Sequence, residues 1–570
     1  MKRILVTSAL PYINGVKHLG NLIGSQLPSD VYARFMRSLG FEVLFICATD
    51  EHGTPAELAA KSKGIPVEDF CKEMWLMQKK IADDFNISFD HFGRSSSNQN
   101  YELTQHFATK LWENNYIDEI EENQVYSLDD ERFLPDRYIT GKCPACGYEK
   151  ARGDQCENCT KQLDPTDLID PTSTISGSKL LEIRQTKHLF LKQSLLKNKL
   201  EEWVSTKEAW PILTKSIAKK WLNTKEGLKD RSITRDLSWG VPVKKYGDFW
   251  PGFEEKVFYV WFDAPIAYIA ATKEWSDHSP DPESWKTWWL TGEGAENVFY
   301  VQFMAKDNIP FHTISFPATI FGSGENWKLV DFIKGFNWLL YEGGKFSTSE
   351  RRGIFMDKAL DIYPADYWRW WLLSNAPESS DTDFTWASFQ STINKDLADV
   401  LGNFISRVSN FSVSKFGKKV PENKNYGYLE IETIRKIDLH YKSLKDLMKS
   451  TEIRKSCSEL RTIWVIGNEY LQKAAPWSSF KENPKKSEMI IRFALNLIYF
   501  YSLISEPFIP SSCEKIQKHF QFKKVKIFPD NLKSFIDALS DVNEISVPKI
   551  LFQKISDEET MNYQKEFSGS

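Results

Sequence analysis

A glycine-containing turn near the amino terminus carries residue types that suit phosphate binding. Residues 9–21 read A-L-P-Y-I-N-G-V-K-H-L-G-N. Gly20 would let the backbone approach phosphate oxygens closely, and His18 offers a nitrogen donor to negative charge that grows when an α-phosphate is attacked. A second candidate segment, K-F-S-T-S at 345–349, lies far downstream. A histidine at a helix start is more often structural. These segments are therefore interpreted together with the strands and helix around them.

The elements around the turn supply that context. Arg3–Ser8 reads as a short buried strand, 19–39 as a helix and 42–48 as a second strand. In an open parallel sheet, ligands bind beyond the carboxyl ends of the strands. The β-α-β order therefore predicts that His18, Gly20 and Asp50 converge.

Four of the eight cysteines are spaced as two knuckles. Cys143-x2-Cys146 and Cys156-x2-Cys159 are separated by nine residues, which predicts four thiolates around one tetrahedral Zn²⁺. Such an ion is structural, since four protein thiolates leave no open coordination position. Two disulfides and a free-standing zinc ribbon that binds nucleic acid are the alternatives. The other four cysteines are scattered and favour a reducing cytoplasm: Cys47, Cys71, Cys457 and Cys513.

Length and charge limit the possible functions. A chain of 570 residues is expected to hold several domains, and a net charge of −4 argues against a globally basic nucleic-acid coat. No signal peptide is expected, because the first apolar run is short and soon meets Pro11 and Gly15. The apolar segment 490–509 is interrupted by Arg492, Asn496 and Glu506, which predicts a buried bundle helix and no membrane span.

Four strings together resemble one enzyme family. H-L-G-N at 18–21 and K-F-S-T-S at 345–349 are similar to the HIGH and KMSKS signatures of class I aminoacyl-tRNA synthetases. With D-E-H-G-T-P at 50–55 and V-W-F-D-A-P-I-A-Y at 260–268, the chain resembles the methionyl-tRNA synthetases over nearly its whole length. The resemblance implies an α/β fold: a Rossmann-type parallel-sheet catalytic domain, split by a zinc-knuckle insertion and followed by an all-α anticodon-binding bundle.

The landmarks divide the chain into six expected segments. Residues 1–115 and 241–345 are the two halves of the catalytic domain, and 116–240 form the insertion. The KMSKS-like loop and stem-contact region span 346–390. Helical periodicity from 391 predicts an anticodon-binding domain to 540, followed by a tail at 541–570.

The resemblance implies a methionine pocket. A carboxylate at Asp50 would pair with the α-ammonium, although a helix N-cap is its alternative role. An aromatic cage of Trp261, Tyr268 and Phe316 would suit the polarizable thioether, with Phe316 standing where the family commonly has tryptophan. The positions that match methionine-site residues are Leu10, Tyr12, Asp50, Trp261, Ala264, Pro265, Tyr268, Asn308, His312 and Phe316.

The implied chemistry is nucleotidyl transfer followed by acyl transfer, without a protein nucleophile. His18 would serve the α-phosphate, Lys345 the departing pyrophosphate, and Mg²⁺ would neutralise phosphate oxygens. Asp307 would hold the ribose or else cap the next helix. The expected ATP-binding residues are His18, Gly20, Asn21, Asp307, Lys345, Ser347 and Thr348.

Two positions depart from the signatures. Asn21 replaces the final histidine of HIGH and keeps a hydrogen-bond donor, so we expect catalysis to survive. Thr348 stands where the second loop lysine is usual. A neutral hydroxyl cannot replace an ammonium, which leads to the hypothesis that Arg351 or Arg352 supplies the missing charge. The alternative is that both arginines face solvent.

The helical region has candidate tRNA contacts. Asn403 and Arg407 are four residues apart and would share a helix face. Judged alone, Trp477 predicts a core position. The resemblance instead implies that these three residues recognise the CAU anticodon of tRNA(Met), including the initiator, with tryptophan stacking on a base. A monomer is expected because the chain ends before any appended OB-fold module.

Several alternatives remain open from the sequence. Leucine, isoleucine and valine synthetases usually carry a large editing insertion, whereas this one is short. Cysteinyl-tRNA synthetase needs an open zinc position. A tRNA-binding protein that has lost catalysis would explain Thr348, but not the retention of His18, Asp50 and Lys345. A small-molecule nucleotidyltransferase would leave the helical region without a purpose.

Overall fold

The amino-terminal half is built on a parallel sheet. The computed structural model of the protein describes residues 3–154, 156, 158–159, 161, 163–224, 227–347, 351–539 and 544–569. Five parallel strands pair side by side in the order Phe332–Phe336, Val298–Ala305, Arg3–Ser8, Glu42–Thr49 and His91–Arg94. The predicted strands at the amino terminus are confirmed, with the second extended by one residue. Chain order reverses beside Arg3–Ser8, which is where such sheets bind ligands.

The helix after the first strand is continuous but not uniform. It runs as Leu19–Asn21, a π-helical segment Leu22–Gln26, and Leu27–Ser38, so a single regular helix over 19–39 was too simple. π-Helical segments also occur at Phe311–Ser315 and Ile393–Gly402, and such bulges are frequent at functional sites. The other helices of the catalytic half are Thr54–Lys63, Val67–Asp84, Asn98–Glu113, Val260–Asp263, Ala267–Asp277, Lys286–Trp289 and Phe316–Ser323.

The insertion contributes two antiparallel sheets. The long strands Ile117–Ser127 and Leu181–Leu191 pair over their full length, with Arg132–Phe133 and Arg231–Ser232 at the edges. A smaller sheet joins Ala151–Arg152, Ile139–Lys142 and Ile169–Ser173, and the first cysteine follows its central strand directly. The insertion also holds the helices Lys197–Ser205 and Ile212–Leu222, and the chain then returns through four two-residue strands: Thr234–Arg235, Lys244–Lys245, Asp248–Phe249 and Val257–Phe258.

A buried tryptophan-rich helix joins the catalytic half to the helical half. Ala365–Ser374 is preceded by Leu339–Tyr341 and Met356–Ile362, and followed by Thr382–Phe384. Its Arg369 is fully buried, and the guanidinium donates to the Asp30 carboxylate (2.7 Å) and to the carbonyls of Pro507 (2.7 Å) and Phe508 (3.0 Å). The side chain therefore ties the helix that begins at His18 to the helical half.

The carboxyl-terminal half is a helical bundle, as the periodicity predicts. Its helices are Trp386–Thr392, Asn403–Phe416, Tyr428–Lys449, Ile453–Ala474, Pro476–Glu482, Pro484–Ile504, Pro510–His519 and Leu532–Phe535. Among the described residues, one helix, Pro484–Ile504, is long and apolar enough to span a membrane, but 94% of its apolar window is buried in the protein. The prediction of a buried bundle helix is thus confirmed, with its end at Ile504.

The final helix, Asp557–Glu566, folds back onto the catalytic side. The Tyr563 ring stacks on the Trp386 ring with 5.1 Å between centroids. The Gly353 amide donates to the Phe567 carbonyl at 3.0 Å. The tail therefore packs beside the segment that follows the K-F-S-T-S loop.

Candidate active site

A large cavity, about 1180 Å³, opens at the carboxyl ends of the sheet strands. Part of its wall comes from the insertion, including Asp136, Asp154 and Arg235. The predicted residues that line it are His18, Gly20, Asn21, Asp307 and Lys345 from the ATP group, and Leu10, Tyr12, Asp50, Trp261, Pro265, Asn308 and Phe316 from the methionine group. The cavity therefore brings together segments that are more than 300 residues apart.

His18 caps the helix that follows the first strand. Its backbone is extended, its Nδ1 accepts the Gly20 amide proton (3.1 Å), and its own amide donates to Asn21 Oδ1 (3.2 Å). A Cβ at position 20 would lie 2.9 Å from Nδ1, so the turn requires glycine. Burial and the neighbouring Lys17 lower the pKa of His18 to about 4. The imidazole is thus neutral near pH 7 and carries its proton on Nε2, as a donor to phosphate requires.

Asp50 is a buried carboxylate without a counter-ion bond. It is 4% exposed, and its Oδ1 has no hydrogen-bond partner in the part of the chain that the structure describes. Burial, followed by the charges of Asp263 and Glu51, raises the pKa of Asp50 well above its usual range, and Lys17 opposes the shift. The next helix begins at Thr54 with Gly53 as its N-cap, so Asp50 is not a cap. An arriving ammonium group would relieve this unfavourable burial.

Aromatic rings form one wall of the cavity beside Asp50. The Trp261 ring stacks on Phe311 at 3.8 Å and meets the edge of Tyr12 at 6.1 Å. Phe316 also lines the cavity, but Phe311 is the ring in contact with Trp261. The sequence analysis did not select Phe311. The only feature that could have indicated it is its position directly before His312. The wall is apolar and aromatic, which suits a thioether side chain.

Tyr268 and His312 lie behind this wall. The Tyr268 hydroxyl donates to His312 Nε2 (3.1 Å), and His312 Nδ1–H donates to the Asn308 carbonyl (3.0 Å). Burial lowers the pKa of His312 to about 4, so the ring is neutral. Ala264 is also buried and is not part of the cavity surface. Tyr268, His312 and Ala264 therefore do not line the cavity, and their contact with methionine stays a prediction.

The downstream loop reaches the opposite side of the cavity. Lys345 is exposed, and its Nζ lies 5.2 Å from the Trp338 ring centroid. Asp307 is exposed at the end of the neighbouring strand. Ser347 pairs with Arg352 through both backbone amides (3.1 and 2.9 Å) and does not line the cavity. Thr348 lies outside the described residues.

The two loop arginines differ in their surroundings. Arg352 donates to the carbonyls of Tyr341 (2.9 Å), Glu342 (3.0 Å) and Ser568 (3.3 Å). Arg351 is exposed and has a positive φ of 50°. Neither lines the cavity. Arg352 therefore holds the base of the loop in this conformation, while Arg351 projects from the surface.

The four knuckle cysteines form one cluster. Their sulfur atoms all lie within 4.8 Å of one another, with Cys143–Cys159 at 3.9 Å and Cys146–Cys156 at 3.6 Å. Ligands at about 2.3 Å around a tetrahedral Zn²⁺ would be about 3.8 Å apart. The predicted alternative of two disulfides does not hold, since all eight cysteines are free thiols. The cluster can therefore hold one metal ion.

The three predicted anticodon residues lie together on the bundle. Asn403 begins the helix Asn403–Phe416, and Arg407 follows one turn later. The Arg407 guanidinium lies 4.7 Å from the centroid of the Trp477 ring. Trp477 is 38% exposed, so the core position expected from residue type alone was wrong. An exposed tryptophan beside an arginine is a suitable platform for an unstacked base.

Sequence reasoning also missed several basic residues that line the cavity, among them Lys17 and Arg235. Lys17 lines it beside Asp50, and burial lowers its pKa to about 8 while Asp50 raises it. Arg235 enters from the insertion, where its guanidinium lies 3.6 Å from the Tyr259 ring centroid and 3.5 Å from the Asp136 carboxylate. Lys17 directly precedes His18, whereas Arg235 belongs to no quoted motif, so no motif indicates where either side chain points. They add positive charge near the expected position of the substrate carboxylate and phosphates.

Comparisons with known proteins agree with this geometry. Residues 4–409 match the family model described as tRNA synthetases class I (M), and 420–570 match the anticodon binding domain of methionyl tRNA ligase. The chain is 60% identical over 570 residues to the methionine–tRNA ligase of Paracoccus denitrificans and 59% identical over 571 residues to that of Roseobacter denitrificans, each alignment covering both proteins completely.

Solved structures extend the agreement to the fold. The crystal structure of Mycobacterium tuberculosis methionyl-tRNA synthetase bound by methionyl-adenylate has a TM-score of 0.75 and 20% identity, covering 97% of this chain and 100% of that one. The parallel sheet, the cysteine insertion and the helical half define a class I aminoacyl-tRNA synthetase. Within that class, the chain belongs to the methionyl-tRNA synthetase family.

Proposed function

We propose that this protein joins methionine to tRNA(Met), including the initiator, in two steps within the one cavity. A methionine carboxylate oxygen attacks the α-phosphorus of ATP, and the bond to the bridging oxygen breaks, so pyrophosphate leaves with that oxygen. A ribose hydroxyl of the terminal adenosine of tRNA then attacks the methionyl carbonyl, and AMP leaves. The observation that carries the proposal is the single cavity shared by His18, Lys345, Asp50 and Trp261.

Each side of the cavity has a separate role in the proposal. Asp50 binds the α-ammonium, and the ring pair of Trp261 and Phe311 contacts the thioether. His18 donates from Nε2 to the α-phosphate, where charge develops in the transition state. Lys345 stabilises the negative charge of the departing pyrophosphate, and Mg²⁺ binds together with ATP. Catalysis on this view is positioning and charge stabilisation, without a protein nucleophile.

We assign to Arg351 the positive charge that the usual second loop lysine would supply and that Thr348 does not. Arg352 already donates to three carbonyls, whereas Arg351 is exposed beside the loop. We expect R351Q to slow pyrophosphate exchange, and R352Q to lower thermal stability as well, because Arg352 holds the loop base. Unchanged exchange in the double variant R351Q/R352Q would contradict any role of the arginines in pyrophosphate stabilisation.

The cysteine cluster would hold one structural Zn²⁺. Four thiolates fill its coordination sphere, so the ion shapes the insertion wall and takes no part in the reaction. The proposal expects one zinc per chain by elemental analysis, and loss of that zinc in C146S. A preparation with full activity and no metal would contradict it. The proposal also includes a cytoplasmic location and a monomeric state, and the buried free thiols outside the cluster support the location.

The decisive experiment is amino-acid-dependent exchange of labelled pyrophosphate into ATP without tRNA. Methionine is tested beside leucine, isoleucine, valine and cysteine. The proposal expects exchange with methionine alone. No exchange with any amino acid would favour a tRNA-binding protein without catalysis, and exchange with another amino acid would contradict the pocket assignment.

A further inference from the structure

The segment that follows the K-F-S-T-S loop returns directly beside His18. The Leu19 amide donates to the Ile354 carbonyl (3.1 Å), and the Met356 amide donates to the Lys17 carbonyl (2.8 Å). Two backbone hydrogen bonds therefore flank the histidine and fix the base of the loop against the catalytic turn.

The loop places an aromatic ring on the imidazole. The Phe346 ring is stacked on His18 with 4.5 Å between centroids and 10° between planes. Phe355 meets the imidazole edge-on at 6.3 Å and 81°. Phe346 thus covers one face of the histidine, and it is the residue next to Lys345.

Packing holds the Phe346 ring in this position. Tyr341 lies 5.7 Å away between centroids. On another side, Gly353 approaches so closely that an added Cβ would lie 2.2 Å from a Phe346 ring carbon, and its φ of 96° also favours glycine. A larger residue at position 353 would displace the ring, so the stack on His18 depends on glycine there.

The stack completes the orientation of the imidazole. Nδ1 is engaged by the Gly20 amide. No residue in the described ranges accepts a hydrogen bond from Nε2, and the side chain lines the cavity. The hydrogen bond sets which nitrogen carries the proton, and the parallel ring sets the plane in which that proton points.

We propose that Phe346 is a positioning residue for the reaction: it holds the His18 imidazole in the plane that directs Nε2–H at the α-phosphate, and it ties Lys345 to that histidine. The inference rests on the proposed function of His18. It predicts that the loop acts on both sides of the bond that breaks. Lys345 acts on the pyrophosphate, and Phe346 acts through His18 on the α-phosphate.

The test compares F346L, which removes the ring at similar volume, with F346Y, which keeps it. We expect F346L to lower kcat of methionine-dependent exchange by roughly 10- to 100-fold, as misplacement of a reacting group does. Its KM for methionine should stay near the wild-type value, because the pocket wall is separate. F346Y should keep kcat within about threefold, since it preserves the stack.

A spectroscopic measurement reports the contact without activity. In histidine-labelled protein, the ring protons of His18, identified by their absence in H18Q, should be shifted upfield by the Phe346 ring current. F346L should lose that shift and F346Y should keep it. Thermal unfolding of both variants confirms that they fold.

Two results would overturn the inference. One is a folded F346L with wild-type kcat. The other is an F346Y as slow as F346L although its His18 signals remain shifted, because the stack would then be present without its effect. Absence of exchange in the wild-type protein would instead contradict the proposed function, while the ring-current result would still report the contact.

Discussion

Two groups of aromatic residues in this molecule differ in how far solvent reaches them. At the amino-acid end of the cavity, Trp261 and Phe311 stack beside the buried carboxylate of Asp50. On the helical bundle, Trp477 is 38% exposed and has Arg407 against its face. The first group lines a cavity that the proposed function fills with methionine, whereas the second lies on the outer surface, where the proposed partner is tRNA.

The difference lies in where the free energy of binding is concentrated. Inside the cavity, the buried Oδ1 of Asp50 has no hydrogen-bond partner among the described residues, and a single ammonium can provide one at low local dielectric. On the bundle, the proposed tRNA contacts are accessible to water. Each contact therefore contributes modestly to the free energy of binding, and several must act together. Substitutions in the pocket should therefore have large effects that are specific to methionine activation. Substitutions of the exposed pair Trp477 and Arg407, called the platform below, should have smaller, additive effects on tRNA recognition.

The largest effect is expected for D50N. The amide keeps the shape but loses the charge that pairs with the ammonium, and removing one partner of a buried charge pair costs about 2–5 kcal/mol. Methionine-dependent exchange should fall by at least about thirtyfold in kcat/KM, which corresponds to the lower end of that range. Binding of tRNA(Met), measured by filter retention, should not change.

D50N also tests whether the two regions are separate. Loss of tRNA binding equal to the loss of methionine activation would show that the pocket and the bundle are not independent. Because the substitution removes a buried carboxylate whose Oδ1 has no hydrogen-bond partner among the described residues, we also expect the thermal unfolding midpoint to be unchanged or higher.

The pocket should make stability depend on pH. Burial lowers the pKa of His312 to about 4 from an ordinary value of 6.5. The folded state therefore binds fewer protons than the unfolded state, so the stabilisation from neutral His312 is complete above pH 6.5 and decreases as pH falls toward 4. The full contribution is about 3 kcal/mol at most.

Urea unfolding midpoints of the wild type and H312Q, measured between pH 4.5 and 7.5, isolate this effect. The wild type should lose more stability toward acid than H312Q does. The matched control is W477A, since no buried histidine contacts that ring, and its pH dependence should parallel the wild type. Parallel curves for H312Q and the wild type would contradict the assignment.

Local patterns in the sequence predict much of the fold and part of the site. The first strand, the turn at His18 and the cysteine cluster were all predictable because each is defined by residues close together in the chain. The single regular helix at 19–39 failed because an apolar period does not distinguish an α-helical from a π-helical segment such as Leu22–Gln26.

Contacts between distant segments could not be predicted. Arg352 donates to the carbonyl of Ser568, 216 residues away, and nothing in the loop sequence indicates that partner. The stack of Phe311 on Trp261 likewise depends on how two helices meet. Residue type alone would place Trp477 in the core, and only its position on the bundle surface shows that the ring is exposed.

On the platform, W477A should reduce tRNA charging while leaving methionine activation intact. Loss of a stacked base costs about 1–3 kcal/mol, so kcat/KM for tRNA should fall by roughly 5- to 150-fold. W477F keeps an aromatic face and should lose less. Pyrophosphate exchange without tRNA is the control, and an equal loss in that assay would contradict the separation of the two regions.

The smallest effect is expected for R407K, which tests whether Arg407 holds the Trp477 ring or binds a base itself. Lysine keeps the positive charge but loses the planar group that lies 4.7 Å from the Trp477 ring centroid. If the arginine mainly holds the ring, the loss is about 0.5–1 kcal/mol, or two- to fivefold in kcat/KM for tRNA. A loss as large as that of W477A would mean that the guanidinium itself binds a base edge, and it should then be additive with W477F. In that case the bundle, like the pocket, would concentrate its selectivity in one charged group, and the contrast between the two regions would be wrong.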